Sequence, residues 1–256
     1  YASYSKGYKA GGYNLDVSAL DRTCNATFDT ACAARLALPA NTPFNGRPEA
    51  SDLQFDAEKV TAYEVGFKLD TRQFDLNVAA FYSAFDNYQL NTFNGLTFEV
   101  TNVQGCRDKL NGADRDGSSA TGACGANRLR PGVVSKGVEA EFFVYPARHL
   151  SRNGGITYLN SRYRNDLVGT GGSALSPVLF QLPGRRTFSA AYTLTAAISY
   201  TPPISDTLSA LFYLDTRLQS DVNTGSDVDL EKVQDGYALV NGRIGLLGPD
   251  RKWSLE

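Results

Sequence analysis

The sequence predicts an all-β protein, namely the wall of a transmembrane antiparallel β-barrel. Three observations predict this fold. Apolar side chains alternate with small polar ones along segment after segment. No stretch approaches the ~20 consecutive apolar residues that a membrane-spanning helix needs. Short turn-forming connections alternate with long polar, glycine-rich ones, which is the asymmetry of outer-membrane barrels.

The alternation is clearest between residues 187 and 200. One side of this segment carries Phe188, Ala190, Tyr192, Leu194, Ala196, Ile198 and Tyr200, and the other carries Thr187, Ser189, Ala191, Thr193, Thr195, Ala197 and Ser199. A strand of a soluble β-sandwich places charges on its wet face, and this segment has none. The pattern therefore indicates an apolar face toward lipid and a polar face toward a hydrated lumen.

The elements follow in order along a single partial barrel domain that spans residues 1–256. About nine strands are expected, at 1–9, 59–70, 73–91, 133–145, 155–163, 187–200, 207–219, 237–247 and 252–256. Proline, glycine and aspartate chemistry predicts short periplasmic turns at 71–72, 146–152, 202–206 and 248–251. The long connections, expected to be extracellular loops, are 10–56, 92–132, 165–186 and 220–236.

The alternation also assigns side chains to faces. Tyr63, Val65 and Phe67 are expected to face lipid, as is Leu90 at the end of the third strand. The polar and charged positions of the opposite phase are candidates for the lumen, and they are Glu64, Lys68, Glu139, Glu141, Asp215, Arg217, Asn241 and Arg243. The segment 155–163 is ambiguous and receives no phase.

Composition limits the possible partners. The formal net charge is −2, and lysine and arginine are dispersed without a basic stripe, so we expect no nucleic-acid partner. The sequence has no leader at Tyr1 and no methionine, and both ends fall within predicted strands. Because open strand edges are not tolerated in lipid, we expect a fragment whose wall is closed by further strands.

Several blocks of the sequence resemble the barrel motifs of TonB-dependent receptors and follow one another in that family's order. They are YASYSKGYKAGGYN at 1–14, EKVTAYEVGFK at 58–68, NVAAFY at 77–82, SKGVEAE at 135–141 and YALVNGRIGL at 237–246. The stretch from Gly105 to Pro131 departs from the family pattern and is interpreted as an insertion. One block alone is a weak signal, but their order over nearly the whole chain makes the resemblance specific.

The resemblance implies a barrel of about 22 strands that is filled by a plug, and the plug is not in this sequence. It further implies an active-transport receptor of the bacterial outer membrane that imports a scarce nutrient with energy from TonB. A ferric siderophore or a similar iron chelate is the favoured nutrient, and an oligosaccharide or a vitamin is the alternative. The implied partners are outer-membrane lipid, the TonB complex and a small-molecule ligand, and no cofactor is expected.

Two other classes of protein remain open. A passive porin would have no plug upstream of Tyr1 and would not depend on the proton-motive force. A soluble, secreted β-sandwich for adhesion or sugar binding would bury its tyrosine-rich faces and would stay soluble without detergent. An enzyme is not expected, because no Ser-His-Asp set can be assembled and no phosphate-binding glycine loop is present. Hydrogen bonding is the favoured role of the paired Glu139 and Glu141.

The four cysteines all lie in predicted extracellular loops. Cys24 and Cys32 share the first long loop, and Cys106 and Cys124 share the second. In an oxidising compartment this spacing favours two loop-internal disulfides over free thiols or a cross-loop pair. Each disulfide would reduce the disorder of a long loop.

The remaining candidate sites are weak, and no ligand-binding or metal-binding residue is predicted. A zinc site is not expected, because the only histidine, His149, belongs to a predicted turn. Residues 111–118 space carboxylates like a calcium loop but lack the closing glutamate, so a solvated turn is favoured. Solvated surface is also favoured for an acidic patch of Asp221, Asp227, Asp229 and Glu231. Packing of the loop interior is favoured over a ligand vestibule for Tyr13, Phe28 and Phe44.

Overall fold

The computed structural model describes residues 1–17, 20, 32–40, 45–93, 97–107 and 123–256. One α-helix, α1, lies within these ranges at Cys32–Leu36. Short 3-10 helices lie at Ala50–Leu53, Ala126–Arg128, Thr170–Gly172, Pro177–Leu179, Leu230–Lys232 and Pro249–Arg251. Among the residues described, no helix is both long and apolar enough to cross a membrane.

The rest of the regular structure is β-sheet. In chain order the strands are β1 Ala2–Lys9, β2 Gly12–Tyr13, β3 Gln54–Phe55, β4 Glu58–Asp70, β5 Phe74–Asp86, β6 Tyr88–Phe93, β7 Phe98–Cys106, β8 Leu129–Pro131 and β9 Val133–Ala147. They continue with β10 Leu150–Tyr163, β11 Leu167–Val168, β12 Tyr192–Tyr200, β13 Ser209–Gln219, β14 Val222–Asn223, β15 Val233–Gln234, β16 Tyr237–Leu247 and β17 Ser254–Leu255.

The long strands form one nine-stranded sheet, which we call the wall. Its strand order is β1-β4-β5-β9-β10-β12-β13-β16-β17, so each strand pairs with the next long strand in the chain. Every pairing in it is antiparallel. This up-and-down arrangement is the one that short hairpin turns and long loops produce when they alternate.

Short turns join the strands at one end of the wall, which we call the short-turn end. Between β4 and β5, the Thr71 hydroxyl donates to the carbonyl of Phe74 at 2.7 Å and accepts from its amide at 3.0 Å. The turn between β9 and β10 is tighter than the predicted 146–152, because β9 continues to Ala147. His149 closes it in the left-handed region, with φ at 64°.

The register gives the wall two different faces, because side chains alternate along a strand and register partners share a face. Tyr63, Val65 and Phe67 belong to the face that we call apolar, and each is more than half exposed. Glu64 and Lys68 belong to the opposite face, which we call polar. The register also resolves the phase of β10, since Thr157 pairs with Glu139 on the polar face.

Two sequence predictions about the wall are wrong. The predicted strand 73–91 breaks at Asn87, whose φ of 51° turns the chain out of the wall, so that β6 belongs to another sheet. Leu90 therefore does not face lipid but is buried, with 1% of its surface exposed. In the predicted strand 187–200, residues 187–191 lie outside β12, which begins at Tyr192. Two backbone hydrogen bonds still join them to β10, from the Thr187 amide to the Ser161 carbonyl and from the Leu159 amide to the Ala191 carbonyl.

The long connections carry sheets of their own. Strands β11, β7 and β6 form a second sheet with β8 paired to β7, and β2 with β3 and β14 with β15 form two-stranded ribbons. The buried apolar cluster of the molecule lies in these connections and at the wall ends that they join, and it comprises Leu90, Val103, Val133, Tyr163, Leu167, Leu175, Leu179, Leu182 and Val228. The hydrophobic core thus covers the long-loop end of the wall.

Candidate functional site

The polar face of the wall collects all the side chains that the sequence nominates for a lumen. Through the register, Glu64, Lys68, Glu139, Glu141, Asp215, Arg217, Asn241 and Arg243 lie on this one face. A transverse row runs across the sheet through Lys68, Asn77, Glu141, Gly155, Thr195 and Arg217. That this face lines a lumen stays a prediction.

Contacts between neighbouring strands tie the polar face together. Asn241 Nδ2 donates to Asp215 Oδ2 at 2.9 Å, between register partners of β16 and β13. The guanidinium of Arg243 lies 4.4 Å from the ring centroid of Tyr213, its own register partner. Arg243 Nη1 also approaches Glu256 Oε2 at 3.2 Å. The hydrogen-bonding role favoured for Glu139 and Glu141 stays a prediction.

The two faces differ sharply in acidic residues. On the polar face the register places Glu58, Glu64, Asp70, Asp75, Glu139, Glu141 and Asp215. Within the nine strands of the wall, Asp86 is the single carboxylate on the apolar face. One side of the sheet is therefore built to meet water and polar groups, and the other is built to meet an apolar medium.

The long-loop end of the polar face is covered by what we call the loop unit, which is residues 88–93, 97–107, 123–132, 164–191 and 220–236. Its centre is the buried cluster, in which Leu182 and Val103 have no exposed surface. Tyr88 packs edge-to-face on Phe85 and Tyr163, with ring centroids 5.9 and 6.1 Å away. Burial, together with the charge of Glu58, raises the pKa of Tyr88 to about 12.

Hydrogen bonds cross between the three loops of this unit. Gln181 Nε2 donates to the carbonyl of Asp227 at 2.9 Å, and the Tyr163 hydroxyl donates to the carbonyl of Ser226 at 3.4 Å. The Ser226 hydroxyl in turn donates to the carbonyl of Asn91. The loops that follow β5, β10 and β13 are thereby held as one body.

Two polar side chains that the sequence did not single out attach the first loop to this unit. Asn102 is fully buried and bridges two segments, since its Nδ2 donates to the carbonyls of Asp56 at 3.1 Å and Asn87 at 2.8 Å. Gln89 Nε2 donates to the carbonyls of Ala10 at 2.8 Å and Asp56 at 3.0 Å. Only the tertiary fold brings these backbone acceptors together, so no local pattern reveals them.

Cys106 and Cys124 form a disulfide, as their spacing predicts, with Cα atoms 5.9 Å apart. Val168 and Leu129 pack against this disulfide in a small second cluster. Cys32 is also disulfide-bonded. The predicted pairing of Cys32 with Cys24 cannot be described, because Cys24 lies outside the described residues.

Two arginines meet over Gly105 at the edge of the loop unit. The side-chain stems of Arg130 and Arg164 pass 3.0 and 3.1 Å from the position that a Cβ of Gly105 would take. Arg130 Nη2 lies 3.4 Å from Asp166 Oδ2. The Nε atoms of both arginines are buried without an acceptor among the described residues. Both side chains carry positive charge, and Asp166 offsets that of Arg130.

The acidic patch of the last loop is partly neutralised. Asp227 accepts a hydrogen bond from Lys232 Nζ, and this contact raises the pKa of Lys232. Burial opposes ionisation of Asp227, but the hydrogen bonds from Lys232 and from the Asp229 amide outweigh it, so the pKa of Asp227 is lowered. Across the described ranges, no group of His, Cys, Asp and Glu side chains is arranged to hold a metal ion.

Of the other weak candidate sites, some lie within the described residues and others lie outside them. Residues 111–118, Phe28 and Phe44 lie outside the described residues, so the solvated turn favoured for 111–118 and the loop packing favoured for Phe28 and Phe44 stay predictions. Tyr13 is 58% exposed on β2 rather than packed inside a loop. His149 lies in the turn between β9 and β10, as the sequence predicts.

Comparison with known proteins now identifies the architecture. The family model described as "TonB dependent receptor-like, beta-barrel" matches residues 1–255. No match to the chain is found among curated proteins.

Two solved structures share the fold at low sequence identity. The ferric yersiniabactin uptake receptor FyuA from Yersinia pestis aligns with a TM-score of 0.58 and 18% identity, over 97% of this chain and 27% of its own. BauA, the ferric preacinetobactin receptor from Acinetobacter baumannii, aligns with a TM-score of 0.50 and 15% identity, over 96% of this chain and 26% of its own. The chain therefore spans about a quarter of the length of these structures.

Proposed function

The chain belongs to the TonB-dependent receptor family, and from this we propose that it is part of an outer-membrane receptor that binds a scarce nutrient and imports it with energy from TonB. The favoured nutrient is a ferric siderophore or a similar iron chelate. In this proposal the apolar face of the wall meets lipid, the polar face lines the lumen, and the long-loop end faces the medium. Further strands and a plug complete the receptor.

The observation that carries the proposal is the difference between the two faces of the wall. A sheet that exposes Tyr63, Val65 and Phe67 on one side and concentrates its carboxylates on the other suits a wall between lipid and water. The loop unit adds support, because packed loops that cover the long-loop end of the polar face suit a gated receptor better than an open porin. The paired Arg130 and Arg164 favour a ligand with negative charge, as many iron chelates have.

Uptake of radiolabelled iron tests the proposal. A strain lacking the full-length gene, grown under iron limitation, should lose uptake of one ferric chelate and recover it when the gene is restored. Collapsing the proton-motive force or deleting tonB should abolish the uptake as completely as deleting the gene. A deletion of an unrelated porin gene is the control and should leave that uptake intact.

The same experiment separates the alternatives. Uptake that persists without the proton-motive force would identify a passive porin. Energy-dependent uptake of a vitamin or an oligosaccharide, with no effect on any ferric chelate, would retain the transport class and replace the substrate. Recovery of the receptor in a detergent-free extract would overturn the membrane location itself.

A further inference from the structure

Three neighbouring turns at the short-turn end of the wall enclose an open pocket of about 330 Å³, which we call the turn pocket. Its sides come from His149 in the turn between β9 and β10, from the segment 201–208 between β12 and β13, and from residues 248–251 between β16 and β17. Ser209 and Leu247 also line it, and they are register partners on the polar face. The turn pocket therefore lies where the polar face reaches the short-turn end.

Main-chain hydrogen bonds hold the sides of the turn pocket in place. The Thr201 amide donates to the His149 carbonyl at 2.8 Å, which joins the first turn to the second. In the third turn, the Gly248 amide donates to the Trp253 carbonyl at 3.0 Å. Because hydrogen-bonded turns form its sides, the pocket exists before any ligand binds, as binding pockets usually do.

The backbone of the turn pocket is strained at three residues. His149, Asp250 and Arg251 have φ angles of 64°, 51° and 57°, and they are three of the five non-glycine residues with positive φ in the described part of the chain. Glycine takes this left-handed conformation without steric cost, whereas a residue with a Cβ does not. Residues in such conformations collect at ligand-binding sites, where the position of the side chain matters for binding.

Charges of both signs line the turn pocket without neutralising each other. Asp206 and Arg251 both line it, and within the described ranges neither of them forms an ion pair. The other carboxylate of the pocket, Asp250 Oδ2, lies 3.6 Å from Lys252 Nζ. The pocket thus offers one anion and one cation to a ligand.

Hydroxyl groups complete the polar lining of the turn pocket. Thr201, Thr207 and Ser209 line it, and none of these three side chains forms a hydrogen bond with a residue that the structure describes. A hydroxyl both donates and accepts, so it suits the N–H and C=O groups of a peptide. The lining therefore matches a short peptide that carries an ammonium and a carboxylate close together.

We propose that the turn pocket binds the zwitterionic amino-acid group of a cell-wall stem peptide. The diamino acid of such a peptide carries an ammonium and a carboxylate on one carbon atom. Arg251 binds the carboxylate, Asp206 binds the ammonium, and the hydroxyls bind the peptide groups. In the proposed function the short-turn end faces the periplasm, where these peptides lie. The inference rests on that orientation, but not on the nutrient or on TonB.

Titration of the full-length receptor in detergent with soluble stem peptides tests the inference. The probe is the tetrapeptide L-Ala-D-Glu-meso-diaminopimelate-D-Ala, and its matched control has lysine in place of diaminopimelate and so lacks one carboxylate. Isothermal titration calorimetry should show that the probe binds at least about tenfold more tightly than the control peptide. Equal affinity for the two peptides would overturn the inference.

Variants of the turn pocket should weaken binding of the probe. D206N/R251Q removes both charges and should lower the affinity about tenfold or more. D206E/R251K keeps both charges and should restore binding. The matched control D70N/R72Q makes the same change at the turn between β4 and β5, and it should bind like the unchanged receptor. An equal loss in this control would contradict the assignment to the turn pocket.

A glycine variant separates ligand binding from a structural role. Arg251→Gly relieves the left-handed backbone, so it should fold at least as well as the unchanged receptor in heat-modifiability gels. It should nevertheless lose binding of the probe. Unchanged affinity in Arg251→Gly would show that the side chain does not bind the peptide.

Sedimentation with isolated, protein-free cell-wall sacculi identifies the source of the ligand. The unchanged receptor should sediment with the sacculi, and Arg251→Gly should not. Binding of free diaminopimelate without sedimentation would assign the pocket to a free amino acid and overturn the cell-wall proposal. Neither assay depends on uptake, so a receptor that binds the probe but imports no ferric chelate would disprove the proposed function and leave the turn pocket supported.

Discussion

The wall and the loop unit bury their apolar side chains in different ways. In the wall, Tyr8, Val240 and Ile244 remain 80%, 66% and 75% exposed, although each is a large apolar or aromatic side chain. In the loop unit, Leu182 and Val103 have no exposed surface. A soluble domain does not leave so many large apolar side chains on one sheet face. The difference agrees with the proposed contact of the wall with lipid, whereas the loop unit carries a buried core of its own.

Creating a cavity in the loop unit is the strongest test of the difference between the loop unit and the wall. Leu182→Ala removes a fully buried side chain and should cost about 2–5 kcal/mol of loop-unit stability. We expect faster hydrogen exchange in β6, β7 and β11, with unchanged exchange in the wall. Leu214→Ala, in the half-exposed middle of β13, is the control and should leave exchange in the loop unit as it is. Uniform acceleration throughout the protein would show that the two regions are not separate.

A charge placed on each face of the wall should have very different effects. Leu214→Arg puts a cation on the apolar face, and in lipid it should cost about 2–4 kcal/mol. Ala197→Arg puts the same charge on the polar face beside its register partner Asp215, so it should cost much less. Heat-modifiability gels of membrane fractions measure the folded yield. Equal yields of the two variants would contradict the assignment of the faces.

Loss of the disulfide should affect the loop unit alone. Replacing Cys106 and Cys124 together by alanine frees a segment with a sequence separation of 18 and should cost about 3 kcal/mol in loop-closure entropy. We expect earlier proteolytic cleavage between the two positions in limited digestion of the full-length receptor. The wall should keep its heat modifiability. Simultaneous loss of folded wall would show that the disulfide supports the whole fold.

The smallest effect is expected from pH at the ribbon of β14 and β15. Because the folded pKa of Asp227 lies below the ordinary value of 3.8, its ion pair stabilises the ribbon above that value, and the contribution is lost as pH falls through the folded pKa. Hydrogen exchange at Thr224 and Lys232, measured against intrinsic rates, should therefore show reduced protection in acid. In Asp227→Asn this change with pH should disappear. An unchanged profile in that variant would mean that another group titrates.

Much of the wall follows from sequence alone, because alternation with a period of two is a local property. Each of the nine segments named from the sequence overlaps a strand of the wall, and the family resemblance and the antiparallel β-fold are confirmed. The charges on the polar face could be nominated for the same reason. The face that a side chain takes depends on its position along its own strand, so no distant contact is needed to infer it.

The failures have a tertiary cause. Leu90 continues the alternation of β5, but the left-handed turn at Asn87 moves it into a core that distant loops complete. Residues 187–191 also alternate, yet they lie outside β12, and the Ala191 amide donates to the Ser220 hydroxyl of another loop. Local periodicity predicts which side chains are removed from water, but it does not predict whether lipid or another loop covers them.

The sequence by itself therefore determined the nine wall segments, the faces of most of them, the Cys106–Cys124 pair and the family, since each is fixed by short-range pattern or by motif order. Only the tertiary structure decided that the long loops form one packed unit and that Asn102 and Gln89 hold the first loop to it. These features join residues far apart in the chain. Their positions depend on the register of neighbouring strands and on contacts between loops, which no single segment encodes.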